Sequence, residues 1–438
     1  MVAFELLRAL GAAAVTPLRA GAYLMTRGRQ VAELRADLDD PRPVDAAPEL
    51  SPPRERPLRI FVSCAEPSGE LHAVNLVHAL RAELAEAGAP EPELVGLGGA
   101  RLAAAGVQTV GDPVARAAMG AAATKELGFY LGLLTDVADE LRQRPPDLVL
   151  PVDSPALHVP LGHIAQAYDA PVVHFVTPQY WGWAPWRIGG YRRAVDLALS
   201  ILPFEPAWFA RRGMRVAHVG HPLLDELQDA PAERAGKGSR VLALLPGSRK
   251  SVIAHNLPWM LTVAARVRLE VPDLEVVLPH NRADLADEIR SHLEAAQATS
   301  WVRLATGDLH HTLGEARAAL SVSGTVLLDL LHHRLPAVVV YRLAGAVGTA
   351  LAGKLLTAPY FSSVNLLAGR EVLPEFCFHG DGPHEEVAGR VLRCLRDDAW
   401  RDACRVGLDE AAERLGPPGA VQRAARQALA VASGGNPR

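Results

Sequence analysis

Short, mainly apolar runs recur along this chain, each broken by a polar or glycine-bearing turn and most followed by apolar positions at helical spacing. The first set is Leu58–Ser63, Leu94–Leu97, Leu148–Val152, Ala170–Val176, Leu197–Leu202 and Arg215–Val219. The second set is Val241–Leu245, Leu274–Pro279, Val302–Leu304, Ala318–Val322 and Ala337–Tyr341, which reads as the final strand. Runs that are apolar throughout, rather than alternating, belong to strands covered on both faces, and so to parallel sheets crossed by helices. Between them, helices are predicted at Leu71–Leu84, from Arg101, at 129–142, near 257–270, 284–296, 309–316 and 346–356, with two more near 384–397 and 399–430. The pattern therefore predicts an α/β chain of two parallel halves with a cleft between them. Asp225–Ser239, polar and rich in Gly and Ala, marks the boundary. The divisions are 1–57, 58–225, 239–398 and 399–438.

Residues 1–57 stand apart. Met1–Arg27 is rich in Ala and Leu with Arg8, Arg19 and Arg27 interspersed and Pro17 in the middle, and Arg35–Pro57 reads as a linker. The first part fits a helix packed on the body or on a partner subunit, or a pair of helices lying on a membrane surface. It lacks the basic start and clean apolar core of a signal peptide.

Composition narrows the classes. At 438 residues the chain has room for two or three domains. A formal charge of -4 offers no bulk attraction for nucleic acid. Cys64, Cys377, Cys394 and Cys404 show no paired spacing, which argues against zinc or a disulfide framework and fits a reducing cytoplasm. No run reaches the 18 apolar residues of a membrane span.

Ligands of open α/β sheets gather at the carboxyl ends of the strands. Six loops belong there: 64–69, 153–158, 177–187, 247–250, 323–325 and 362–370. In the first, Glu66-Pro67-Ser68-Gly69 precedes a helix, so its N–H groups face an anion or a sugar hydroxyl, or Ser68 is a plain N-cap. Asp153 ends a strand, where either a general base or a turn residue belongs. Tyr180, Trp181, Trp183, Trp186 and Tyr191 cluster in a loop suited to a sugar or acyl surface, or to sealing the core. Gly247-Ser248-Arg249 offers close backbone approach, a hydroxyl and a phosphate-matching fork. Ser323-Gly324-Thr325 opens a helix, as an anion cradle or a simple cap.

Taken in order, AEPSGE (65–70), GGARLAAAG (98–106), PDLVLPVDSP (146–155), PQYWGWAPWR (178–187), ILPFE (201–205), VGHPL (219–223), LPGSR (245–249), SGT (323–325), PAVVVYR (336–342) and SSVNLLAGREVLPE (362–375) resemble the lipid-A-disaccharide synthase family. The resemblance implies two facing Rossmann-like domains of the GT-B type, here with an N-terminal helical extension. It implies transfer of 2,3-diacylglucosamine from UDP to 2,3-diacylglucosamine 1-phosphate, without cofactor or metal, at the cytoplasmic face of the bacterial inner membrane. The partners it implies are those two substrates and the membrane surface, with a homodimer left open. Asp153, Arg249 and Glu66 take the catalytic positions. Ser68, Gly247, Ser248, Ser323, Gly324, Thr325 and Asn365 match residues around the UDP-sugar. The chain departs from the family pattern at Glu70 (Asp), Ala156-Leu157-His158 (Asp-Phe-Asn), Val252 (Glu), Asp329 (Glu), Val364 (Pro) and Phe378 (Gln). The family's Met-Gly-x-x-Glu segment becomes Met119-Gly120 with a displaced Glu126. The competing readings are a UDP-N-acetylglucosamine 2-epimerase or other sugar transferase, and a diverged paralogue that binds nucleotide-sugar or lipid without turnover.

Overall fold

The computed structural model describes residues 2–50, 56–118, 123–228, 230, 239–280, 283–307, 309–343, 345 and 353–434. The Met119-Gly120 motif and most of the helix expected over 346–356 lie outside them. The chain divides into two compact units, residues 1–225 with 416–438, and residues 226–415.

In the first unit β1 (Arg59–Ser63), β2 (Glu93–Leu97), β3 (Gln108–Gly111) and β4 (Leu148–Pro151) form a parallel sheet in the order β3-β2-β1-β4. A second parallel set, β5 (Val173–Phe175), β6 (Leu197–Ser200) and β7 (Val216–His218), continues from β4 through bridges Val149–Val172 and Val152–Phe175. The second unit holds one parallel sheet in the order β10-β9-β8-β11-β12-β13. Its strands are β8 (Val241–Leu245), β9 (Glu275–His280), β10 (Val302–Thr306), β11 (Ala318–Val322), β12 (Ala337–Leu343) and β13 (Glu375–His379). Each unit is thus Rossmann-like, as the sequence predicts. In each, the strand order reverses beside the first strand, between β1 and β4 and between β8 and β11, and such switch points are where open α/β sheets bind ligands.

Two strands escaped the sequence pattern, β3 and β13. Both lie at sheet edges, where half-exposed residues replace the continuous apolar run. Three helix expectations also need correction. The helix placed near 257–270 spans Lys250–Glu270 and carries Pro258 within it. The loop expected over 362–370 contains the helix Ser363–Ala368, capped by the Ser362 hydroxyl and ended by Gly369 in the left-handed region. The terminal helix expected over 399–430 is two, Asp398–Leu415 and Ala420–Ser433, because Gly416-Pro417-Pro418-Gly419 cannot continue a helix. The second of these packs along the helix Pro67–Glu86 in the first unit, burying Val421, Ala424, Ala425, Ala428 and Leu429.

The N-terminal segment is one helix, Val2–Asp39, that runs through Pro17 rather than breaking into a pair. It is packed on the body of the first unit. Leu34 and Leu38 are buried, the Tyr23 ring meets Trp186 at 5.4 Å, and Glu5 pairs with His163 at 3.0 Å.

Candidate active site

The switch point of the first unit brings together the loops after β1 and β4. After β1 the chain turns through Cys64–Glu66 into the helix Pro67–Glu86, with Glu66 half-buried at the N-cap position in extended backbone. Ser68 is exposed inside the first turn, so it is not the N-cap the sequence allowed. Gly69 is buried against the other loop: a Cβ there would stand 3.5 Å from the Val152 carbonyl oxygen and 3.8 Å from the Asp153 Cβ. The start of this helix and Asp153 are therefore neighbours. Glu70 turns away, its Oε1 accepting from the N–H groups of Arg101 and Leu102 at 3.1 and 3.2 Å and so capping the next helix.

Asp153 and Ser154 both adopt left-handed backbone, at φ 56° and 45°. Two buried histidines hold this turn. His158 Nδ1 lies 2.5 Å and His174 Nε2 lies 2.8 Å from the Asp153 carbonyl oxygen. A carbonyl only accepts, so both ring nitrogens donate, which fixes both tautomers. The opposite nitrogens then accept, His158 Nε2 from the Ser63 hydroxyl at 2.9 Å and His174 Nδ1 from the Tyr191 hydroxyl at 2.7 Å. Burial pushes the His158 pKa down to about 3, and that of His174 to about 4, so both rings are neutral at ordinary pH. The Asp153 N–H donates to the Phe175 carbonyl at 2.9 Å. Strands β1, β5 and the helices after β4 and β5 thus converge on one peptide.

The aromatic loop divides its labour. Tyr180, Trp181 and Tyr191 are buried and seal the core, whereas Trp183 is 52% exposed with the Arg187 guanidinium over its ring. Trp181 donates to Glu205 at 2.9 Å, and burial raises the Glu205 carboxyl to about 7 despite that bond.

In the second unit the switch point brings together 246–249 after β8 and 323–325 after β11. Gly247 sits at φ 109°, and a Cβ there would come within 2.6 Å of Val252 Cγ1 and 3.5 Å of Val322 Cγ2. Gly247 is required on both counts, conformation and space. Arg249 occupies the N-cap position of the 21-residue helix Lys250–Glu270. Ser248, Arg249, Gly324 and Thr325 are exposed and Ser323 is half-buried. The Ser323 hydroxyl donates to the Phe361 carbonyl at 2.7 Å, tying this loop to residues 361–375.

Asn365 is fully buried. Its amide nitrogen donates to the Leu373 carbonyl and to Glu375, and its oxygen accepts from the Val372 and Leu373 N–H groups, at 2.8 to 3.0 Å. All four of its bonding positions are filled, so its side chain fastens this loop. Glu375 in turn accepts from the Phe361 and Ser362 N–H groups at 3.0 and 2.9 Å. Sequence reasoning did not single out Glu375, although it closes the SSVNLLAGREVLPE stretch.

Other departures from the resembled pattern have local causes. Val252 fills the space beside Gly247. Phe378 packs on Trp259, ring centroids 4.7 Å apart. Asp329 is largely buried, which, with the nearby charge of Glu226, raises its carboxyl to about 7.

A family model described as "Lipid-A-disaccharide synthetase" matches residues 60–410. The lipid-A-disaccharide synthase of Myxococcus xanthus (strain DK1622) is 36% identical over 382 residues, covering 85% of this chain and 97% of its own length. That of Anaeromyxobacter dehalogenans (strain 2CP-1) is 35% identical over 383 residues, covering 85% and 97%. Among solved structures, the S. aureus MnaA–UDP co-structure superposes with a TM-score of 0.56 at 14% identity, covering 83% of this chain and 94% of that one. The UDP-GlcNAc 2-epimerase from Neisseria meningitidis, bound to UDP-GlcNAc, gives 0.50 at 12%, covering 82% and 98%. At such identities the structural likeness is one of fold, whereas the sequence likeness spans nearly the whole length of the relatives. The chain belongs to the lipid-A-disaccharide synthase family.

Proposed function

We propose that this protein is an inverting glycosyltransferase joining UDP-2,3-diacylglucosamine to 2,3-diacylglucosamine 1-phosphate, giving the β(1→6)-linked lipid A disaccharide 1-phosphate and UDP. Family membership supports the reaction. The observation that carries the residue roles is that, in each unit, the candidate polar loops fall at the switch point of the sheet.

In this reaction the acceptor's 6-hydroxyl oxygen attacks the donor's anomeric carbon. The new C–O bond forms as the bond to UDP breaks, and the electron pair leaves on the β-phosphate oxygen. The attacking hydroxyl must lose its proton, and we assign that proton to the Asp153 carboxylate. Glu66, at the start of the neighbouring helix, completes the carboxylate set. Arg249 meets the negative charge growing on the leaving UDP, and one such donor is worth about 3 kcal/mol. The N–H groups at the start of Lys250–Glu270 add to it. Ser68, Gly247, Ser248, Ser323, Gly324 and Thr325 bind the UDP-sugar, and Asn365 acts by holding the loop that Ser323 bonds. Both substrates carry acyl chains, so the protein works at the cytoplasmic face of the inner membrane, as a peripheral protein. Among the described residues no helix is long and apolar enough to cross a membrane.

The test is UDP release from UDP-2,3-diacylglucosamine in the presence of the acylated acceptor. Asp153→Asn is expected to lower turnover by about 10²–10⁴-fold with UDP affinity near wild type. Loss of UDP binding in that variant would make Asp153 structural. Wild-type protein that binds UDP tightly yet releases none from the donor would overturn the transfer reaction.

A further inference from the structure

The transfer reaction does not use the outward face of the N-terminal helix, which lies ahead of residues 60–410, the part that the family model matches. Its inner face is fastened by Glu5, Tyr23, Leu34 and Leu38. On a 3.6-residue helix, Leu7, Leu18 and Met25 lie within roughly 20° of one line, and roughly 140–160° around from Tyr23. They are 67%, 75% and 89% exposed. Gly11, Gly21 and Gly28 fall beside them, and a Cβ at any of the three would meet nothing within 4 Å. Among the described residues, no other part of the first unit covers this stripe.

Charge decides the occupant. Between Leu6 and Ala32 there is no Asp or Glu, and there are four arginines, Arg8, Arg19, Arg27 and Arg29, in a chain whose formal charge is -4. Arg8 pairs with Glu5 at 3.0 Å and Arg29 with Glu33 at 2.7 Å, the carboxylates at either end of the stretch; between them a second copy would set arginine against arginine with no carboxylate to answer. An anionic surface answers Arg19 and Arg29, the two that are exposed, while Arg27 is half-buried on the inner side. The helix is not long and apolar enough to span a bilayer, and arginines beside an apolar line are the composition of a helix lying in the interface. Tyr23 seats it on Trp186 of the 178–187 loop, where Trp183 is also exposed, and tryptophan is a residue of the membrane interface.

We infer that the Leu7–Leu18–Met25 face of the N-terminal helix, with its arginines, docks this protein on an anionic phospholipid surface. This rests on the peripheral membrane placement proposed above and names the element responsible; the transfer chemistry does not enter. Co-sedimentation of the full chain with phosphatidylglycerol-containing vesicles, and with pure phosphatidylcholine vesicles, tests it. Binding is expected on the anionic vesicles, weaker on the neutral ones, and falling with salt. Leu18→Asp/Met25→Asp is expected to lose binding by at least tenfold, and Arg19→Gln by about fivefold. Circular dichroism melts should be unchanged, since these side chains touch nothing in the core. UDP release from detergent-dispersed substrates should also be unchanged, which separates docking from catalysis.

Equal vesicle binding by wild type and the double variant would overturn the helix as the docking element while leaving peripheral placement intact. Wild-type protein that ignores anionic vesicles would overturn both. A double variant that turns a dimer into a monomer in light scattering, with vesicle binding unchanged, would assign the face to a second copy instead.

Discussion

Asp153 and Ser154 hold consecutive left-handed conformations, each costing on the order of 1–3 kcal/mol for a residue with a side chain. The two histidines that grip the Asp153 carbonyl offset that cost and hold the backbone from which the side chain projects. At position 158 the resembled family carries Asn, whose amide can also donate to a carbonyl. His158→Asn is therefore expected to keep turnover within a few fold of wild type. His158→Leu leaves the Ser63 hydroxyl and one side of the carbonyl without partners, a loss of about 1–3 kcal/mol in urea unfolding, and should lower kcat more than UDP affinity. The place of Asp153 at the end of a buried strand was legible, although that place alone left a general base and a turn residue both open. Its support was not. His158 and His174 come from different elements, and nothing in their spacing says that both rings meet one carbonyl. Asn365 shows the converse, a residue legible by motif whose side chain is spent inside the loop.

At the scale of elements, the apolar runs announced the central strands but missed the edge strands β3 and β13, since burial on both faces is what makes a strand continuous in sequence. The helix after β8 begins well before the 257 at which the sequence reading placed it, at Lys250, directly behind Arg249. That early start puts the polar turn at the positive end of a 21-residue helix, where an anion gains most. The turn depends on Gly247. In Gly247→Ala the new methyl meets Val252 and the φ of 109° is strained, so a loss of about 1–3 kcal/mol is expected, with less thermal stabilisation by added UDP than in wild type. Melting curves with and without UDP check both. A variant that melts like wild type and gains the same shift from UDP would show the loop to be more yielding than this geometry allows.

Across the whole molecule, buried ionisable groups set the response to pH. In the first unit His158 and His221 are held down to about 3 and His174 to about 4, from an ordinary 6.5. Each binds its proton more readily unfolded than folded, so stability rises with pH towards 6.5 and is lost as pH falls below it. Glu205 and Asp329, raised to about 7, act the other way, losing stability as pH climbs from their unfolded values towards 7. Between pH 4 and 6.5, His158→Asn should flatten the dependence of unfolding free energy by about 1.4 kcal/mol per pH unit relative to wild type. Urea titrations across that window measure it, and parallel curves would mean that His158 is already protonated in the fold. The α/β class with two parallel halves was readable at this scale because it is written in the order of apolar runs. The allegiance of the last helix was not, since Ala-rich spacing says that a face is buried but not which sheet it covers. That allegiance reverses the order of assembly on the ribosome. Residues 226–415 are contiguous and can close while the chain is still being made. The first unit, synthesised earlier, keeps the face of Pro67–Glu86 open to water until Ala420–Ser433 emerges, so the nascent protein carries a sticky, unfinished amino-terminal half for nearly the whole of its translation.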